Sequence, residues 1–124
     1  MSCLFCEKHD YILENDYGYA IYDDYPVSLG HMLIIPKKHI VDFFEADEQT
    51  RLHLFKLLDE AKQLLDEKYH PDGYNIGMNC QMAAGQSIMH LHIHLIPRYI
   101  GDTPSPKGGI TVSYTHLTLP TIRL

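Results

Sequence analysis

The sequence predicts an α+β domain in which an antiparallel sheet carries one main helix. Two short apolar and aromatic segments precede the long stretch of helical periodicity, and two more follow it. Because no crossover helix separates the first two segments, they are expected to pair antiparallel. The chain has 124 residues, the size of one domain, which buries roughly two-thirds of its unfolded surface in a single core.

The strands are predicted from short runs of aromatic and branched apolar residues. The first lies within residues 16–24, and turn-forming residues follow it. The second, residues 31–35, stops at Pro36 because proline has no N–H to donate to a sheet. Strand character returns at residues 74–79 and again across residues 88–99, after a loop that contains glycine and alanine.

The main helix is predicted to run from an N-terminal cap at Asp47 or Thr50 to about Tyr69. It ends at Pro71-Asp72-Gly73, because proline disfavours helical backbone at the preceding residue and glycine permits the reversal. Apolar residues recur there at three- and four-residue spacing and predict the buried face. The predicted stripe comprises Leu52, Phe55, Leu58, Ala61 and Leu65, and it is widened by Leu54, Leu57 and Leu64.

Composition excludes several classes of function. The net charge of −6 argues against a nucleic-acid partner, although local N–H groups or histidines can still hold a small anion. The three cysteines are too few for a disulfide scaffold. The N-terminus lacks signal-peptide character, and apolar runs fall short of the roughly 20 residues that span a bilayer. We therefore expect a cytoplasmic protein that has no membrane contact.

Three histidines alternate with apolar residues within the last predicted strand. Side chains of a strand alternate between its faces, so His90, His92 and His94 are expected on one face. Buried imidazoles need partners for their ring nitrogens, which favours a functional role over a structural one. Two roles compete: chelation of a transition metal, and nucleophilic catalysis by a neutral imidazole. Same-face residues lie about 6.6 Å apart, so three rings do not easily reach one ion.

The segment His90-Leu91-His92-Ile93-His94-Leu95-Ile96 resembles the motif of the histidine triad (HIT) family. The resemblance extends through residues 30–39 and Gly85-Gln86-Ser87 and covers roughly residues 3–109. It implies a HIT-like antiparallel sheet of about five strands, one main helix and a short second helix, usually assembled as a homodimer. Pro97-Arg98 is closer to the bacterial HIT hydrolases and the fragile-histidine-triad branch than to other members.

The resemblance also implies an activity. Family members cleave adenosine 5′-monophosphate derivatives, such as diadenosine polyphosphates or phosphoramidates, at the α-phosphate through a nucleotidyl-histidine intermediate. His92 would be the nucleophile, with His94 and His90 as the other triad residues. The alternative is a nucleotide-binding or interaction protein of the same fold with weak or vestigial catalysis.

Substrate contacts follow from the same resemblance. Gln86 and Ser87, together with His94, would donate hydrogen bonds to phosphate oxygens, where charge develops in the transition state. Asp23 would bind the ribose hydroxyls, and Asn79 would lie beside the ribose and phosphate.

Cys3 and Cys6 form a CxxC pair, a pattern shared by metal sites, redox-active pairs and incidental thiols. By resemblance the pair would bind zinc together with His39 and His90. Two thiolates and two imidazoles form a closed tetrahedral set, which is typical of structural zinc. An organic cofactor is not expected. His31, at the start of a strand, is expected to be a hydrogen-bonded structural histidine.

The C-terminal segment departs from the rest of the sequence. Residues 111–124 contain four of the six threonines and no acidic residue. Val112-Ser113-Tyr114-Thr115-His116-Leu117 is also a translation of the transposase mosaic end used in sequencing libraries. We therefore expect a HIT domain at residues 1–110 and non-native read-through at 111–124 in place of the true C-terminus. The alternative is an ordinary divergent tail.

Overall fold

The computed structural model describes residues 3–7 and 10–108. Its strands are β1 (Leu13–Glu14), β2 (Gly18–Tyr22), β3 (Met32–Pro36), β4 (Gly73–Gly77) and β5 (Ile93–Arg98), and its main helix is α1 (Glu48–Tyr69). The strands form one antiparallel sheet in the order β1-β2-β3-β5-β4. This confirms the predicted α+β class with about five strands and one main helix. Short 3₁₀ turns at Phe43–Glu45 and Met82–Ala84 complete the order.

Helix α1 has defined caps at both ends. The carboxylate of Asp47 accepts a hydrogen bond from the N–H of Thr50 at 2.8 Å, so Asp47 rather than Thr50 is the N-terminal cap. At the other end His70 adopts a left-handed conformation and its N–H bonds to the carbonyl of Asp66. The helix therefore ends at Tyr69 as predicted, and the chain turns back into β4.

The buried face of α1 differs from the predicted stripe in its first half. Leu52 and Phe55 are 45% and 42% exposed. Both apolar series have helical spacing within the same window, so periodicity did not distinguish them. The sheet selects the second series because β2 lies directly beneath it: a Cβ at Gly18 would stand 2.7 Å from a methyl group of Leu54. The buried residues are Thr50, Leu54, Leu57, Ala61 and Leu65.

The two faces of the sheet have different roles. Ile93 and Leu95 of β5 join the core beneath α1. Between them His94 points to the opposite face, because it pairs across the strands with Leu33 of β3. Leu33 belongs to a smaller apolar cluster that also contains Phe5 and Tyr19. The candidate site therefore lies on the face of the sheet away from the helix.

Within the described ranges, none of the helices is both long and apolar enough to cross a membrane. The predicted tail at residues 111–124 lies outside the described residues.

Candidate active site

The three histidines of the motif do not all lie in a strand. Strand β5 begins at Ile93, so only His94 lies within it, while His90 and His92 occupy the segment before it. The prediction of a single strand from residue 88 is therefore wrong at its start. The N–H of Leu91 donates instead to the carbonyl of Ile40 at 2.8 Å, away from the sheet ladder. All three histidines are nonetheless buried, with at most 9% exposure.

His92 has a proton position fixed by the backbone. Its Nδ1 lies 2.8 Å from the carbonyl oxygen of His90. A carbonyl only accepts, so Nδ1 must carry the proton, and in the neutral ring Nε2 keeps its lone pair. Burial lowers the pKa of His92, opposed by the bond to His90 and by the charge of Asp23. His92 is thus a neutral imidazole with one unprotonated nitrogen.

His94 has the opposite tautomer, and His31 determines it. The backbone N–H of Val27 donates to Nδ1 of His31 at 3.0 Å, which places the proton of neutral His31 on Nε2. That Nε2 lies 2.9 Å from Nδ1 of His94 and donates to it. The proton of His94 is therefore on Nε2. Burial, with smaller effects of His92 and His31, lowers the pKa of His94 to about 2.

Asp23 adds a negative charge beside this pair. Its Oδ2 lies 3.4 Å from Nε2 of His31 and 3.9 Å from Nδ1 of His94. Its Oδ1 accepts the N–H of Tyr25 at 2.9 Å. The ligand atoms of Asp23, His31 and His94 lie within 4.8 Å of one another, close enough to hold a metal ion. Their contacts are those of a hydrogen-bonded network, because the proton of His31 Nε2 already lies between the two rings.

A cavity of about 610 Å³ opens over this face of the sheet, within the range of small-molecule sites. Five of the predicted residues line it together: Asp23, Asn79, Ser87, His92 and His94. His31 lines it as well. The rest of the wall is largely apolar and includes Leu4, Phe5, Ile12, Ile21, Leu33 and Ile88. The cavity wall can thus contact an apolar ring and also present polar groups to a ligand.

Gln86 does not line the cavity, in contrast to its predicted contact with phosphate. It is buried, and its Oε1 accepts the N–H of Gln81 at 2.7 Å. Its amide nitrogen donates to the carbonyls of Val41 and Ile88 at 2.6 and 3.0 Å. With both amide hydrogens committed to the backbone, Gln86 holds the loop that carries Ser87. That loop contains strain, since Gln81 has a φ of 77°.

His90 is also absent from the cavity wall and belongs to a second cluster with Cys3, Cys6 and His39. Its Nδ1 lies 3.2 Å from Sγ of Cys3 and 3.5 Å from Sγ of Cys6, and Cys6 Sγ lies 3.1 Å from Nδ1 of His39. Neighbouring ligand atoms of tetrahedral zinc are about 3.5 Å apart, so this donor set fits the ion. Nε2 of His90 donates to the carbonyl of Pro36 at 2.8 Å, which directs the lone pair of Nδ1 toward the thiols.

Sequence reasoning assigned His31 a structural role and missed its contact with the triad. The prediction of a hydrogen-bonded histidine is confirmed, and the structure adds that His31 is buried and that its partner is His94. The sequence held one signal, since Gly30-His31 opens the upstream stretch that resembles HIT proteins. Which histidine it meets depends on the pairing of β3 with β5.

Comparisons with known proteins find similar sequences and similar folds. Residues 7–101 match the profile of the HIT domain family. A crystal structure of a hypothetical histidine triad nucleotide-binding protein from Sulfolobus tokodaii is similar, with a TM-score of 0.75 and 39% identity over 83% of this chain and 73% of that one. A zinc-bound histidine triad family protein from Mycobacterium smegmatis also has a TM-score of 0.75, with 33% identity over 84% of this chain and 80% of that one.

Characterised and uncharacterised proteins both occur among the relatives. An uncharacterized HIT-like protein of Mycoplasma pneumoniae is 34% identical, over 79% of this chain and 72% of its own length. The adenosine 5′-monophosphoramidase of Schizosaccharomyces pombe is 29% identical, over 92% and 84%. The AP-4-A phosphorylase of Mycobacterium tuberculosis is 29% identical, over 68% of this chain and 44% of its own length.

Proposed function

This chain belongs to the HIT family, and from that premise we propose that it is a nucleotide hydrolase or nucleotidyl transferase. Its substrates would be derivatives of adenosine 5′-monophosphate, cleaved at the α-phosphate. The observation that carries the proposal is the pair of fixed tautomers in one cavity. His92 offers a lone pair on Nε2, and its neighbour His94 offers a proton on Nε2.

The proposed reaction is a double displacement at the α-phosphorus. In the first step the lone pair of His92 Nε2 forms a bond to the α-phosphorus, and the bond from phosphorus to the leaving group breaks with its electron pair departing on that group, which takes a proton from solvent where it is an amine. In the second step water attacks the same phosphorus and gives a proton to solvent, and the P–N bond breaks with its electron pair returning to Nε2, which restores neutral His92. The products are adenosine 5′-monophosphate and the leaving group.

The surroundings of His92 favour that first step. Its ring becomes cationic when Nε2 bonds to phosphorus, and the His90 carbonyl 2.8 Å from Nδ1 stabilises that charge without any rearrangement. The proton of His94 Nε2 is available to an oxygen of the α-phosphate as negative charge develops there. Ser87, exposed on the cavity wall, is a second donor.

The remaining cavity fits the rest of a nucleotide. Asp23 and Asn79 line it, and a carboxylate and an amide suit the ribose hydroxyls. The apolar side chains of the wall would receive the base. The relatives acting on AP-4-A and on adenosine 5′-monophosphoramidate support an adenosine nucleotide. Both diadenosine polyphosphates and phosphoramidates therefore remain within the proposal.

Zinc is part of the proposal as a structural ion. Cys3, Cys6, His39 and His90 would hold it, and the donor distances already fit. A four-ligand ion supplies cross-linking between distant segments of the chain, without an open position for substrate. The zinc-bound relative from Mycobacterium smegmatis supports this assignment.

A covalent intermediate is the direct test. Wild-type protein is mixed, in a single turnover, with adenosine 5′-phosphoramidate or diadenosine tetraphosphate carrying a labelled α-phosphate, then quenched and analysed for labelled protein. We expect label on wild type and on His53→Ala, a matched histidine variant outside the cavity, and none on His92→Ala. Label retained by His92→Ala would overturn the assignment. Nucleotide binding with neither label nor turnover would favour the alternative of a binding protein with weak catalysis.

A cytoplasmic homodimer completes the proposal. Strand β4 lies at the edge of the sheet, and Ile76 within it is 51% exposed. An open edge with an apolar side chain is compatible with pairing to a second copy. Sedimentation analysis of the purified protein would test it, with a monomer at working concentration as the contrary result.

A further inference from the structure

The candidate metal cluster and the candidate nucleotide cavity share a single turn of the chain. Cys3 and Cys6 enclose Leu4 and Phe5, and the N–H of Cys6 bonds back to the carbonyl of Cys3 at 3.1 Å. The two cysteines belong to the metal cluster, while Leu4 and Phe5 between them line the cavity. Four consecutive residues thus contribute to both sites.

Phe5 connects this turn to the nucleophile. Its ring is buried and meets the His92 ring edge-on, with centroids 5.1 Å apart. It also meets the His90 ring, at 5.9 Å and nearly perpendicular. The hydroxyl of Tyr19 donates to the Phe5 carbonyl. A displacement of this turn would therefore alter the cavity wall and the packing around His92 at once.

The turn lies outside the regular secondary structure. It belongs to neither a helix nor a strand, and Leu4 and Cys6 are exposed. An ion held by Cys3 and Cys6 on one side and by His39 and His90 on the other would fix both ends of the turn against the body of the domain.

We infer that metal binding at Cys3, Cys6, His39 and His90 and nucleotide binding in the cavity are thermodynamically linked through the Leu4-Phe5 wall. The inference rests on the proposed function, because it takes an adenosine nucleotide as the cavity's ligand. Zinc orders the turn, and the ordered turn completes the apolar wall that receives the base. By linkage the effect is reciprocal, so nucleotide must strengthen zinc binding by the factor by which zinc strengthens nucleotide binding.

Two binding measurements test the linkage without any measurement of turnover. The Kd of adenosine 5′-monophosphate is measured by calorimetry on zinc-loaded protein and on protein stripped with a chelator. The Kd of zinc is measured by competition with a chromophoric chelator, with and without saturating nucleotide. We expect both constants to tighten by the same factor, at least about fivefold. Chelation of zinc by free nucleotide would have the opposite sign, so it does not imitate the result.

Variants localise the linkage. Phe5→Ala keeps all four candidate ligands, so we expect it to bind zinc while the linkage factor falls toward one. Phe5→Leu, which retains more apolar volume, gives the same test if the alanine variant is unstable. Phe44→Ala is the matched control, because Phe44 is 75% exposed and outside the cavity wall. We expect Phe44→Ala to keep the linkage factor of the wild type.

Three results would overturn the inference. One is a nucleotide Kd that is unchanged when zinc is removed, and another is full linkage retained in the Phe5 variants. The third is loss of far-ultraviolet circular dichroism on stripping, which would mean global unfolding rather than a local change in the wall. If zinc-loaded protein fails to bind the nucleotide at all, the proposed function fails and takes this inference with it.

Discussion

Nε2 of His31 donates a hydrogen bond to Nδ1 of His94 across a distance of 2.9 Å. The bond joins residues 63 positions apart in the chain. The backbone N–H of Val27 holds the other nitrogen of His31, so the tautomers of both rings follow from a single peptide group. His31 is therefore a positioning residue for His94.

Removing the ring of His31 should impair turnover more than substrate binding. In His31→Ala, Nδ1 of His94 loses its donor, so the proton of His94 is no longer confined to Nε2. We expect kcat to fall by a factor on the order of 10² with a smaller change in KM. Steady-state kinetics with adenosine 5′-phosphoramidate, repeated across pH, measures this. Partial rescue by His31→Gln, which retains a donor and an acceptor, is expected; equal kcat for wild type and His31→Ala would contradict the role.

Stability should fall as the pH decreases below the ordinary pKa of histidine. Burial lowers the folded pKa values of His31 and His94, that of His94 to about 2. The unfolded chain then binds more protons than the folded one below pH of about 6.5, so the contribution is complete above that pH and is lost as the pH falls toward the folded values. Each such histidine contributes a slope of at most about 1.4 kcal/mol per pH unit.

The measurement is urea unfolding of zinc-loaded protein between pH 7 and pH 5. His94→Gln, which cannot titrate, should show a shallower decline than wild type under identical metal conditions. His53→Gln, outside the cavity, is the matched control for replacing a histidine by glutamine. If wild type and His94→Gln declined in parallel, burial of a neutral His94 would not be the cause.

Asp23 and Asp24 are neighbours that should differ sharply in their effect on nucleotide affinity. Asp23 contacts the histidine network, while Asp24 lines the same cavity but is exposed. Loss of a hydrogen bond to a charged group costs roughly 1.5–3 kcal/mol, or about 10- to 150-fold in Kd. We expect Asp23→Asn to weaken adenosine 5′-monophosphate binding within that range and Asp24→Asn to change it little. If calorimetry showed instead that Asp24→Asn weakens binding more than Asp23→Asn, the ribose contact would be assigned to Asp24.

Gln86 and Ser87 should separate stability from catalysis. Gln86→Leu leaves the N–H of Gln81 and two carbonyls without their partner, so we expect a loss on the order of 1–3 kcal/mol in the free energy of unfolding. Ser87 is exposed on the cavity wall, so Ser87→Ala should change the free energy of unfolding by less than about 0.5 kcal/mol. Its kcat should fall, because a donor to the phosphate is lost. Urea unfolding and steady-state kinetics are measured on both variants. If both lowered kcat equally without loss of stability, Gln86 and Ser87 would be equivalent substrate contacts.

Much of the architecture followed from local sequence. The ends of α1 were predictable because a capping aspartate and a proline-glycine stop act within a few residues of the helix. The choice of buried face in the first half of α1 was not predictable, since Leu52 and Leu54 belong to series that both have helical spacing. The choice between them depends on where β2 passes beneath the helix.

The sequence by itself determined the class of the fold, the alternation of the three histidines and the residue types available for metal and phosphate. Each of these depends on neighbours along the chain. Only the tertiary structure decided that His31 directs the proton of His94, that Gln86 holds a loop outside the cavity, and that Phe5 packs on His92. These contacts join segments separated by many residues, and hydrogen-bond direction depends on ångström-scale placement that residue patterns do not encode.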